Sequence, residues 1–188
     1  MIGSEAYLQK RGRLLSISNM KLASLLEQKK SHIVAHWLKL LFETYPPQTV
    51  VFLKKEKDKF DNPLGYRISR GLDGLYAALV QEKETGEILS ALDEIISIRV
   101  LQDNSPSRAL AFIFLLKDVL REELAPELKD REVVAELLDL DSRIDGLALL
   151  GFDVYTQRRE KLTEIRINEV KQRVSGLLRK SGLSVDSL

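Results

Sequence analysis

The chain has 188 residues, 29 Lys and Arg against 28 Asp and Glu, a net charge of +1, 44% hydrophobic residues and no cysteine. This composition can build a core, so it excludes a disordered chain, and its balanced charge gives no global case for nucleic acid or an anionic surface. Without cysteine there is no disulfide, thiolate metal site, iron–sulfur cluster or cysteine nucleophile.

The opening stretch, "MIGSEAYLQKRGRLLSIS", is basic but lacks the apolar h-region of a signal peptide. The longest apolar run, Ala109 to Leu116, falls far short of the about 20 residues that cross a bilayer. The expectation is a cytoplasmic protein with no membrane span.

Residues 1–17 carry little pattern and read as a flexible N-terminus. Ser18 or Asn19 can cap a first helix over about 19–44, with the apolar stripe Leu22, Leu25, Leu26, Ile33, Trp37, Leu40 and Leu41. Pro46 and Pro47 end it. "TVVFLKKEKDK" reads as a short helix or turn, because no second strand exists to pair with Val50, Val51 and Phe52.

Asn62 followed by Pro63 is a helix start, since proline at the first position gives up an N–H that has no partner there. Leu64, Ile68, Leu72, Leu75 and Leu79 form one stripe, and Gly71, Gly74 and Ala78 a second beside it. Interior glycine costs a helix roughly 0.5–1 kcal/mol relative to alanine. A stripe of small residues repays that by letting another helix approach closely. Thr85 caps the next helix, about 86–102, which is apolar around much of its circumference and reads as central. Ser105 and Pro106 start another, through to Leu124, and Ala125-Pro126 stops it.

From about Lys129 to Lys180 there is no proline. Val133, Leu137, Leu140, Ile144, Leu147, Gly151, Val154 and Arg158 alternate steps of four and three; the phase breaks, then resumes at Ile167, Val170, Val174 and Leu177. This is a coiled-coil-like seam with one interruption. A helix of about 50 residues spans roughly 75 Å at 1.5 Å per residue, so its far half either folds back, with a bend near Gly146 or Gly151, or protrudes. Residues 183–188 read as a frayed tail. The fold class is all-α, one domain over 18–182 with a long C-terminal helix at about 129–181.

Chemical motifs are sparse. His32 and His36, the only histidines, share a helix face and could bind a metal with Glu27 or Glu43 as neighbours; a partly exposed polar edge beside Trp37 is the plainer reading. There is no HExxH, nucleophile elbow, P-loop or dinucleotide fingerprint. "DLDSRID" (Asp139 to Asp145) resembles a calcium loop but lacks its glycine and terminal glutamate, so it reads as a solvated helix face. The segment 157–180 holds eight Lys or Arg, which suits nucleic acid or anionic lipid. Its interleaved acids and the scarcity of stacking aromatics favour a coiled-coil flank. Thr163 on this helix is a candidate phosphorylation site.

Three stretches together resemble a known family: "DKFDNPLGYRI", "LDEIISIRVLQDNSPSRALAFIFLLKDVLREEL" and "ELLDLDSRIDGLALLGFDVYTQRREKLTEIRINEVKQR". They are similar to the N-terminal domain of RsbR/RsbRD-type stressosome proteins, the co-antagonists of the RsbT kinase. The best mark is the N-P-x-G-Y motif (Asn62, Pro63, Gly65, Tyr66) with "VLQDNSPS" ahead of an apolar helix. The resemblance implies a globin-like, haem-free, dimeric sensor or interaction module in bacterial stress signalling. A small-residue helix crossing suits such packing, and neither histidine lies in the mid-chain helices where a haem ligand would be expected. Stressosome proteins follow this domain with a STAS domain carrying the phosphorylated threonines. The sequence runs to Leu188 without one, so kinase antagonism and stressosome assembly are not carried over.

The expectation is therefore a non-catalytic homodimer with a protein partner in a regulatory complex, and no cofactor. The dimer interface is Leu140, Ile144, Leu147, Gly151, Val154 and Arg158, and close helix packing falls at Gly71, Gly74 and Ala78. The alternatives are a helical protein binding haem, metal or a small molecule, and a nucleic-acid adaptor using the basic helix.

Overall fold

The computed structural model describes residues 21–55, 62–81, 83–102 and 105–180. The expected flexible N-terminus, the frayed tail and the caps at Ser18 or Asn19 lie outside them. Among the described residues every regular element is helical: α1 (Lys21–Glu43), α2 (Pro47–Lys55), α3 (Pro63–Val80), α4 (Thr85–Leu101), α5 (Pro106–Glu123), a 3-10 turn (Glu127–Lys129) and α6 (Arg131–Lys180). The protein is all-α.

The local chemistry of the helix starts is visible in place. Asn62 Oδ1 accepts from the Gly65 N–H at 2.8 Å ahead of Pro63, and Ser105 Oγ accepts a long bond from the Arg108 N–H, 3.5 Å, ahead of Pro106. Thr85 is not the cap it was expected to be. Glu84 occupies that place without a side-chain bond, and Thr85 is the first helical residue. The α1 start is served from a distance: Glu136 of α6, itself buried, accepts the Leu22 N–H at 2.8 Å, meeting one of the free donors a helix N-terminus leaves. Nearby, Lys21 pairs with Glu132 (2.5 Å) and Asp130 (3.1 Å), which hold its ammonium up at about 12.

The chain divides into two compact units, one through Tyr155 and one from Thr156 onward. In the first unit the apolar faces of all the long helices meet. Leu22, Leu26, Ile33, Trp37 and Leu41 of α1 are completely buried. The Trp37 indole donates to the Phe112 carbonyl at 2.6 Å and stacks on the Phe112 ring, tying α1 to α5. The Tyr76 hydroxyl of α3 donates to the Leu26 carbonyl at 2.9 Å, and burial pushes that phenol well above its ordinary value. Helices α3 and α4 make the most extensive pairing. A Cβ on Gly71 would stand 2.7 Å from Ile95 Cγ1 and 3.4 Å from the Ala91 carbonyl, whereas one on Gly74 would sit 3.7 Å from the Ala91 methyl, an ordinary contact. Ala78 is buried in the same unit. The close approach is thus concentrated at Gly71.

Helix α6 is one uninterrupted helix of 50 residues, with no break at Gly146 or Gly151. Within the first unit its buried face is Val133, Leu137, Leu140, Ile144, Leu147, Leu150, Gly151 and Val154. A Cβ on Gly151 would meet Ile113 Cδ1 at 3.0 Å and Leu110 Cδ2 at 3.1 Å, so α5 lies directly against it. Ion pairs Lys117–Asp145 (2.7 Å) and Arg121–Asp141 (2.6 Å) flank that contact. The second unit, as far as Lys180, is helix with most residues exposed and none buried.

Candidate ligand pocket and exposed helix faces

The residues expected to form a dimer seam are already occupied. Leu140, Ile144, Leu147 and Val154 are at most 8% exposed, and Gly151 is buried with them. They are buried within their own chain, so in this arrangement they have little surface to offer a second copy. Arg158 lies beyond Tyr155, in the second unit, and is partly exposed.

The apolar side chains left exposed on α6 lie elsewhere. Val134, Leu138, Leu149 and Phe152 share one side of the helix within the first unit, roughly 140° around from the buried face at 100° per residue, and all are exposed. In the second unit Ile167, Val170, Val174 and Leu177 step by three, four and three, with exposures of 49, 58, 38 and 67%. Thr163, in the same unit, is exposed and donates its hydroxyl to the Arg159 carbonyl at 2.9 Å.

The histidines do not converge on a site. His32 is exposed, while His36 is half-buried with Nδ1 2.8 Å from Glu123 and Nε2 3.5 Å from Glu122. His36 therefore joins α1 to the end of α5. Among the described residues no group of three or more His, Asp or Glu is placed to hold a metal ion. Of the calcium-like run, Asp141 and Asp145 are the partners of Arg121 and Lys117 named above, which is a helix face and not a loop.

A cavity of about 730 Å³ opens where α1 ends, α2 begins, α4 ends and α5 begins; Thr44, Tyr45, Pro46, Thr49, Arg99, Gln102, Arg108 and Ala111 line it. Its volume is in the range of small-molecule sites, about 300–1,000 Å³. The chain reaches it through the turn after α1, where Thr44 and Tyr45 donate N–H bonds to the Leu41 and Phe42 carbonyls and Pro46 prevents continuation. Arg99 is the organising side chain. It is 3% exposed, its Nη2 donates to the Arg108 carbonyl at 2.6 Å and its Nη1 to Thr44 Oγ1 at 3.3 Å. Its guanidinium stands 5.0 Å from the centre of the Tyr45 ring, a cation–π contact that strengthens as water is excluded. The Tyr45 hydroxyl is buried and has no hydrogen-bond partner among the described residues. The Arg108 side chain, which also lines the cavity, is exposed and makes no hydrogen bond or ion pair with a described residue. None of the described lining residues is acidic.

None of these pocket residues was singled out from sequence. A signal did exist: in "ILSALDEIISIRVL" the stripe Leu92, Ile95, Ile96 places the next buried position at 99, and that position is arginine. A cation on the inner face of a central helix announces a polar partner or a polar cavity.

The described residues thus form an all-α body with a cavity and a helix that carries exposed apolar rows. The model of the RsbT co-antagonist protein RsbRD N-terminal domain matches residues 31–170, and the chain belongs to that family. No curated protein and no solved structure matches. No described helix is long and apolar enough to cross a membrane.

Proposed function

We propose that the chain is a non-catalytic, homodimeric regulatory module of bacterial stress signalling, cytoplasmic, with a globin-like and haem-free body that senses or docks a partner protein. Membership of the RsbRD N-terminal family supports the regulatory role. The observation that carries the dimer is the row Ile167, Val170, Val174 and Leu177, each 38% exposed or more on the distal helix. Fully burying one such side chain is worth about 1.5–3 kcal/mol. An identical row on a second copy has the heptad spacing to interdigitate with it. Val134, Leu138, Leu149 and Phe152 offer the second copy a further apolar strip on the same helix.

Light scattering on the purified chain tests this. A mass of two copies is expected, falling to one in a Val170→Asp, Val174→Asp variant whose helical circular dichroism persists. A double variant that keeps the dimer mass removes the row from the interface. The haem-free reading predicts no Soret band in protein expressed with excess haem precursor.

A further inference from the structure

We propose that the cavity between α1, α2, α4 and α5 is a binding site for a small organic carboxylate with an apolar or aromatic body. The inference deepens the sensing role proposed above and rests on it for its biological meaning, but not for the binding itself. The walls divide in the way such a ligand requires. The Tyr45 ring, Pro46 and Ala111 supply apolar surface; Arg108, Thr49 and Gln102 supply polar groups, and no acid lies among the described lining residues. Arg108 brings an exposed guanidinium with no partner among the described residues, and a guanidinium fork matches a carboxylate's two oxygens.

Arg99 is the positioning residue. Its bonds to Thr44 and to the Arg108 carbonyl hold the turn after α1 and the first turn of α5 at the two sides of the cavity. It also adds a second fixed positive charge to the site, screened little because it is buried.

Isothermal titration of the full chain with benzoate tests the assignment, with inorganic phosphate as the second titrant. Saturable 1:1 binding of benzoate is expected below about 10 mM, a range that fills even a site of roughly millimolar Kd. Arg108→Ala should weaken it at least about tenfold, the scale of one charge-assisted hydrogen bond. Ala111→Leu, which narrows the cavity without altering charge, should weaken it as well. Both substitutions leave the Arg99 bonds to Thr44 Oγ1 and the Arg108 carbonyl in place, so circular dichroism should match the parent. No benzoate binding in this range, or binding that both variants retain, overturns the proposal. Phosphate binding as tightly as benzoate overturns the choice of carboxylate. Benzoate binding with no effect on dimer mass or partner binding upholds the pocket and counts against the sensing role alone.

Discussion

Two alanine substitutions three residues apart on α3 should differ clearly in their effect on stability. In a helix interior Gly→Ala gains about 1 kcal/mol from propensity. At Gly74 nothing opposes that gain, because the new methyl meets only the Ala91 methyl at 3.7 Å. At Gly71 the methyl would stand 2.7 Å from Ile95 Cγ1, with the Ala91 carbonyl 3.4 Å away. Cγ1 is near the root of its side chain and Ile95 is fully buried, so relief requires α3 and α4 to separate. Overpacking of this kind costs about 1–3 kcal/mol. The propensity gain cancels in the comparison, leaving Gly71→Ala about 1–3 kcal/mol less stable than Gly74→Ala. For a chain of this size 1 kcal/mol corresponds to about 2–4 °C in Tm. Thermal and urea unfolding at one fixed protein concentration would measure it, since a dimer's midpoint moves with concentration. Equal stabilisation by both substitutions would show that the helices do not meet closely at Gly71, and the account of that crossing would fail.

Other consequences can be checked together. Trp37→Phe removes the 2.6 Å bond to the Phe112 carbonyl, which keeps its helical donor, and a loss of about 0.5–1.5 kcal/mol in urea unfolding is expected. Asn62→Ala removes the cap on the Gly65 N–H and should lower stability by about 1 kcal/mol. Leu147→Asp should unfold the protomer and not merely split a dimer, because Leu147 is 2% exposed within its own core; a folded monomer by circular dichroism and light scattering would refute this. For acid stability, Asp130, held by the Glu132 N–H and then Lys21, lies below its ordinary 3.8, and Glu127, held by Lys29, below its ordinary 4.5. Groups lowered on folding bind fewer protons in the native state, so their contribution is present above these ordinary values and is lost as pH falls through the lowered ones. Asp130→Asn and Glu127→Gln should each flatten the decline of Tm below about pH 4.5.

The helices were legible because their starts and stops are local chemistry. Asn62-Pro63 and Ser105-Pro106 announce themselves, and the Leu22–Leu26–Ile33–Trp37–Leu41 spacing leaves one choice of buried face. Thr85 misled because a cap is fixed by backbone geometry one residue earlier, which residue type alone does not reveal. The α6 seam shows a deeper limit. Steps of four and three describe an apolar face but not what covers it, and Leu140, Ile144, Leu147 and Val154 are buried within their own chain. Only the later residues, Ile167 to Leu177, keep their row exposed. The pocket could not be read at all from spacing, since Tyr45, Arg99 and Arg108 are brought together by helix ends far apart in sequence; Arg99 alone left a trace, as a cation on an apolar stripe.

The sole tryptophan is Trp37, in the interior of the first unit, and the stretch from Thr156 to Leu188 contains no tryptophan, tyrosine or phenylalanine. Aromatic emission is therefore blind to the distal helix, while far-ultraviolet dichroism registers every turn of it. Two probes on one sample can thus time the melting of each part without a label, and non-coincident curves would report that the parts lose order separately.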